Sequence, residues 1–132
     1  MRGFVNDIEQ LTRENENFRQ VIYTGKHSQL VLMALQPGEE IGMEAHPNND
    51  QFFRFDAGEG EVVIDGQTHQ IKDGSAVVVP AGAEHNVINT SDSELLQLYT
   101  ICSPPHHKDG IVRATKDEAE SNEADFDGQT SE

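Results

Sequence analysis

GSAVVVPAGAEHNVIN, residues 74–89, carries the fold in its spacing. A run of β-branched residues ends at Pro80, a tight turn is marked by Ala81 and Gly82, and a second strand opens on His85 and closes on Asn89. Upstream lies PGEEIGMEAHPNNDQFFRFDAGEG, residues 37–60, which has the same alternation of turn residues and strand. Glu44 and His46 are two apart, so on a strand their side chains share a face. Pro47, Asn48, Asn49 and Asp50 form a turn, and Gln51 then starts a strand on which Phe53 and Phe55 follow it inward.

Working outward, QVIYT, QLVLMAL, QFFRF, EVVIDG, SAVVVP and LLQLYTI are all short, rich in β-branched or aromatic residues and separated by Gly, Pro and Asp. This spacing predicts an all-β sandwich or barrel, because a sheet of many strands must close or stack to lose its edges and bury one face. Asp65 and Gly66 form the clearest two-residue hairpin turn, since both tolerate positive φ. Asn6 with Glu9 predicts a brief N-terminal helix bearing Ile8 and Leu11 on its apolar face. Thr115 with Glu118 predicts a second helix over roughly 116–124. The chain therefore reads as one domain over residues 1–116, followed by an acidic stretch over 117–132 that is expected to be solvated and to fray.

The chain has 132 residues, with 24 acidic and nine basic side chains, a net charge of −15. Such a field opposes nucleic acid or an anionic membrane as partner. There is no apolar run of ~20 residues for a membrane span and no apolar stretch at the N-terminus suited to secretion, so a soluble, cytoplasmic location is expected. Four lysines among so many carboxylates fit a protein working in high salt, and equally fit an ordinary acidic one. With Cys102 as the one cysteine, a metal site must draw on His, carboxylate or amide groups.

Gly74, Pro80, Gly82, His85 and Asn89 sit at the spacing of the second motif of the cupin superfamily, which this chain resembles over about residues 29–102. The first motif is represented by Gly38, Glu44, His46, Gln51 and Gly58, with Glu44 where the family usually has His and Gln51 where it usually has Glu. The resemblance implies a double-stranded β-helix, a jelly-roll barrel with short helical arms, and a divalent metal held at Glu44, His46, Gln51 and His85. Gln51 is either a weak fourth ligand or a hydrogen-bonding neighbour, and Asp50 could replace it if the turn shifts by one residue. Iron, manganese or nickel suits an open octahedral site best, with zinc or cobalt also allowed. Glu44 is either an anionic ligand or a general base beside the metal.

Three function classes remain open at this point. One is a metal-dependent enzyme, dioxygenase-like on an enol or diketone. The others are a sugar or sugar-phosphate isomerase, and a non-catalytic module that binds a metal or small ligand. Phe53, Phe55 and Tyr99 are the candidate pocket residues, although the same alternation suits plain packing. His106 and His107, after two prolines, read as exposed loop residues, with a lid over the barrel mouth as the alternative. Val62, Ile64, Val77 and Val79 offer more apolar strand surface than one interior easily takes, which predicts a homodimer.

Overall fold

A computed structural model describes residues 1–132. In chain order the elements are α1 (Ile8–Glu14), β1 (Arg19–Thr24), β2 (Gln29–Leu35), β3 (Asp50–Ala57), β4 (Glu59–Ile64), β5 (Gln67–Lys72), β6 (Ala76–Val79), β7 (His85–Asn89), β8 (Leu96–Ser103), β9 (Val112–Arg113) and α2 (Lys116–Ser121). The strands form a six-stranded sheet, β6-β3-β8-β2-β1-β9, and a three-stranded sheet, β5-β4-β7, in which all pairs are antiparallel. The two sheets close on one core in which Leu35, Phe53, Phe55, Val62, Val87, Leu96 and Leu98 are all fully buried. Each such side chain contributes about 1.5–3 kcal/mol relative to exposure.

The local signals account for the turns. Asp65 (φ 46°) and Gly66 (φ 81°) take the left-handed conformations of a type I′ turn, and Ile64 pairs with Gln67 across it. Asp7, one residue after Asn6, caps α1 by accepting from the Gln10 amide. The Thr115 hydroxyl accepts from the Glu118 amide, and the Glu118 carboxylate reaches back to the Ala114 amide, so α2 begins as a capped helix and ends at Ser121.

Asn89 shows what the buried polar positions do. Its amide donates to the carbonyls of Leu35, Gln36 and Glu94, while its oxygen accepts from the Ser91 amide at 3.0 Å. One side chain thus joins the ends of β2, β7 and the approach to β8. Asn89→Ala is expected to lower unfolding free energy by about 2 kcal/mol, because it strands buried backbone groups. Urea titration would show this as a lower midpoint with an unchanged slope.

Two expectations need correction. The stretch containing Glu44 and His46 is not a regular strand; residues 39–46 run irregularly along the free side of β7. There Asn89 N donates to Glu39 O, Ile41 N to Val87 O, and Glu44 and His85 exchange two bonds at 2.9 and 2.8 Å. Glu40 faces Ile88 whereas Glu44 faces His85, so the segment carries one extra residue, at Gly42 or Met43. Gly42 has φ 110°, and its amide is taken up by the Asn86 side chain at 2.9 Å.

The second correction concerns the acidic stretch. Beyond α2 it is tied to the barrel: Lys108 N donates to Ala124 O, Phe126 N to His106 O, and Ser131 N to Thr24 O. Glu132 accepts from Tyr23 Oη at 2.6 Å and from the Arg2 and Gly3 amides at 2.7 Å. Backbone bonds and the donors to Glu132 hold this stretch in place, which composition alone does not reveal.

The apolar strand surface behind the expected dimer is divided between the interior and the outside. Val62 and Val79 are buried in the core, whereas Ile64 and Val77 pack against it and stay partly exposed, lining an open surface cavity with Ile71. Ala76 and Val78 are the exposed residues of β6.

Candidate metal centre

His85 opens β7 fully buried, at one end of the barrel. Its Nδ1 is 3.0 Å from the Ala83 carbonyl oxygen. A carbonyl can only accept, so Nδ1 carries the hydrogen and a neutral ring presents Nε2 as a lone pair. That Nε2 is 3.2 Å from Gln51 Oε1 and 3.7 Å from Glu44 Oε1. His46 Nε2 is 3.2 Å from the same Glu44 oxygen. Donor atoms of Glu44, His46 and His85 all lie within 4.8 Å of one another. Two bonds of ~2.1 Å span ~4.2 Å across a metal, so small side-chain adjustments bring the three onto one ion.

The backbone explains this convergence. The paired bonds between Glu44 and His85 fix those two residues side by side, and the Gly82 amide donates to His46 O at 2.9 Å, holding the third. The extra residue at Gly42 or Met43 sets the register that places Glu44 opposite His85. Gln51 comes from the facing sheet, where it pairs with Cys102 and Val79, and its Nε2 donates to Thr100 Oγ1 at 3.2 Å. With its nitrogen so occupied, its oxygen is directed at His85.

The electrostatics couple Glu44 to the histidines around it. Burial pushes the Glu44 carboxyl up, but the hydrogen bond with His46 and the charges of His46, His85 and His106 outweigh it, leaving the group below its ordinary value of 4.5. The same bond raises His46 above its ordinary 6.5 against the opposing effect of burial. An ionised carboxylate and two imidazoles are the donors a divalent ion takes once His46 has given up its proton.

The signs give a testable pH dependence. Raised His46 stabilises the metal-free fold fully below 6.5, and that stabilisation is lost as pH rises through its folded value. Depressed Glu44 stabilises above 4.5, and this is lost as pH falls through its own lowered value. Metal retention is therefore expected to decline as pH falls through the raised His46 value, earlier than for a free imidazole. In Glu44→Gln the pH at which affinity begins to fall from that variant's own, weaker plateau should move lower, because the carboxylate that raises His46 is gone. Equilibrium dialysis against a buffered metal at several pH values measures both midpoints.

Around this cluster is a cavity of about 180 Å³. Thr100, Cys102 and Met33 line it from the six-stranded sheet, together with Arg19 at the start of β1. Burial pushes the Cys102 thiol up to about 12, so it stays protonated and behaves as a small buried side chain. His106 packs edge-on against His46 with ring centroids 4.4 Å apart, and His107 packs on His106. The amides of both donate to Gln29 Oε1 at 3.2 and 3.0 Å. Burial lowers His106, and it pushes His107 down to about 2, so His107 is neutral. These two histidines are thus half-buried members of the barrel mouth, the lid reading, where a loop after two prolines had suggested exposure.

Sequence reasoning placed the aromatic residues less well. Phe53 and Phe55 do point inward, but both are fully buried beneath the cavity, with Phe53 edge-on to His85 at 6.2 Å. Tyr99 is not a pocket residue. It lies on the opposite face of β8 from Thr100 and Cys102 and packs near Phe52, with ring centroids 6.3 Å apart. Arg19, Thr100 and the wall formed by Glu123, Ala124 and Asp125 were missed. An inward count from Cys102 would have found Thr100; Arg19 lies just outside the apolar run that marked its strand.

The family model described as a cupin domain matches residues 31–102. The chain belongs to the cupin family. Cupins commonly bind divalent metals, and this cupin has a Glu44, His46 and His85 cluster suited to one. It is 45% identical to the YrkC protein of Bacillus subtilis (strain 168) over 89% of its own length and 66% of that protein's. It is also 40% identical to the L612 protein of Acanthamoeba polyphaga mimivirus, over 83% and 70% of the two chains. The chain thus spans about two thirds of these relatives. The crystal structure of BH2720 from Bacillus halodurans superposes with a TM-score of 0.89 at 41% identity, covering 92% of this cupin and 96% of that chain. No helix of this cupin is long and apolar enough to cross a membrane.

Proposed function

We propose that this cupin is a metal-dependent enzyme that holds one divalent ion at Glu44, His46 and His85 and acts on a small oxygenated substrate, dioxygenase-like on an enol or diketone. The observation that supports it is the convergence of three ligand atoms within 4.8 Å, with Glu44 and His46 lining a cavity and His85 buried behind them. When bound, the ion supplies Lewis acidity toward a substrate oxygen, and iron, manganese or nickel suits the open positions best. Gln51 serves as a weak further ligand or orients His85. The cavity has room for the equivalent of about six waters, so the substrate is a compact molecule.

The protein groups have separable tasks. Glu44 is ionised near neutral pH and offers the ion its one anionic donor. His106 and His107 limit water at the mouth. Cys102, held protonated, contributes shape and no nucleophile.

An oxygen-uptake assay on enols and diketones of fewer than about six carbons, with iron-, manganese- or nickel-loaded protein, tests the reading. Turnover that disappears in His46→Ala supports it. Full metal occupancy with no turnover across the panel would instead assign the protein as a binding module, and conversion without oxygen consumption would assign an isomerase-like reaction.

A further inference from the structure

Arg19 has no role in the metal cluster, yet it lines the same cavity. It starts β1 on the face that two residues later buries Val21, and its register partner Met33 also lines the cavity. Its Nε is buried without a hydrogen-bond partner, and the guanidinium forms no ion pair. One aromatic neighbour, Phe18, lies 5.4 Å from the guanidinium carbon.

The lack of a partner is informative because acids are abundant. The chain has 24 carboxylates against nine cations, and Glu44, Glu123 and Asp125 line this very cavity. Burying an arginine without a paired anion costs free energy, and such a group is normally matched by a carboxylate or phosphate. Burial lowers Arg19 from its ordinary 12.5, opposed by the charge of Glu44, and the group remains a cation near neutral pH. The neighbouring Arg113 is engaged elsewhere, with its Nε and Nη2 on Asn122 O at 3.1 and 2.8 Å. Arg19 is thus a half-buried planar donor whose Nε has no protein acceptor, lining the cavity that Glu44 and His46 also line.

We propose that Arg19 is the specificity-determining residue for an anionic substrate, a small carboxylic acid with a neighbouring oxo, enol or hydroxyl oxygen. The inference rests on the metal reading and deepens it: the carboxylate meets Arg19 while the adjacent oxygen faces Glu44, His46 and His85. A guanidinium presents its hydrogens in a fork matched to a carboxylate, which sets orientation as well as charge. The cavity of about 180 Å³ suits an acid of this size.

Pyruvate and butane-2,3-dione form the test pair, since they differ by a carboxylate in place of an acetyl group. Calorimetric titrations use the full chain, once loaded with manganese and once metal-free, as wild type, Arg19→Gln and Arg19→Lys. Wild type should prefer pyruvate by roughly tenfold or more. Arg19→Gln should erase that preference without changing manganese occupancy, and Arg19→Lys should keep part of it. Equal binding of the two probes by wild type, or an unchanged preference in Arg19→Gln, overturns the proposal. A preference for inorganic phosphate over pyruvate that depends on Arg19 overturns the carboxylate assignment. Failure to bind manganese refutes the metal reading, while an Arg19-dependent pyruvate preference in the metal-free protein still supports the anion site.

Discussion

His85→Ala is expected to lower divalent-metal affinity by roughly 100-fold or more while the barrel still folds. The imidazole is almost completely buried, and its orientation is set before any ion arrives. The hydrogen on Nδ1 is committed to Ala83 O, and the ring packs edge-on to Phe53, so Nε2 has one direction. Removing it deletes a preorganised donor and leaves Gln51 Oε1 without its neighbour. His46→Ala should cost somewhat less, because His46 is partly exposed and its position depends on the flexible carboxylate of Glu44 as well as on backbone. The comparison is made by metal titration of both variants, with circular dichroism to verify folding. An affinity in His85→Ala within a factor of about three of wild type would contradict the assigned geometry.

A large effect on stability is expected at Gly60, in β4. A Cβ placed there would fall on the Ile88 carbonyl oxygen and lie 3.2 Å from Leu96 Cδ2. The obstacle is backbone in the middle of the three-stranded sheet, where Gly60 pairs with both Ile71 and Asn89, so side-chain adjustment cannot relieve it. Gly60→Ala should therefore destabilise by about 4 kcal/mol, in the range reserved for overpacking or a broken pairing. Gly66→Ala is the contrasting case. Its surroundings are open, and only its left-handed backbone, φ 81°, opposes a side chain, a cost of about 1 kcal/mol. Thermal unfolding of both variants separates the mechanisms; equal shifts would mean the close approach at Gly60 is relieved by sheet movement.

The barrel was legible because its turns are chemically marked. Asp65 with Gly66 and Pro80 with Gly82 restrict the backbone at the right places, and alternation carries Phe53, Phe55 and His85 inward. Glu44 and His46 were legible as a pair for a reason that proved only partly physical. Their shared direction comes from an irregular edge segment and its extra residue, and period-two alternation reached the same pairing without seeing that insertion.

Tyr99 shows the opposite outcome. Sequence alternation on β8 is sound, but its phase depends on which residues pair across strands, and a shift of one residue reverses every face. Gln51 pairs with Cys102, which settles that Cys102 and Thr100 face inward. The acidic C-terminal stretch was misread for another reason: solvation of like charges is the default, and its attachment depends on particular acceptors such as Glu132 meeting Tyr23 and two amides far away in sequence. Arg19 was hidden by its own chemistry, since a charged residue at a strand end normally faces water.

The claim on which everything else rests is that Glu44 supplies the anionic ligand in a shell completed by His46 and His85. Calorimetric titration of chelator-stripped protein with manganese, in wild type and in Glu44→Gln, tests it most directly. The account predicts one ion per chain in wild type and an affinity lowered by roughly tenfold or more in Glu44→Gln, with the fold intact. Manganese bound equally tightly by both proteins, or by neither, would contradict it.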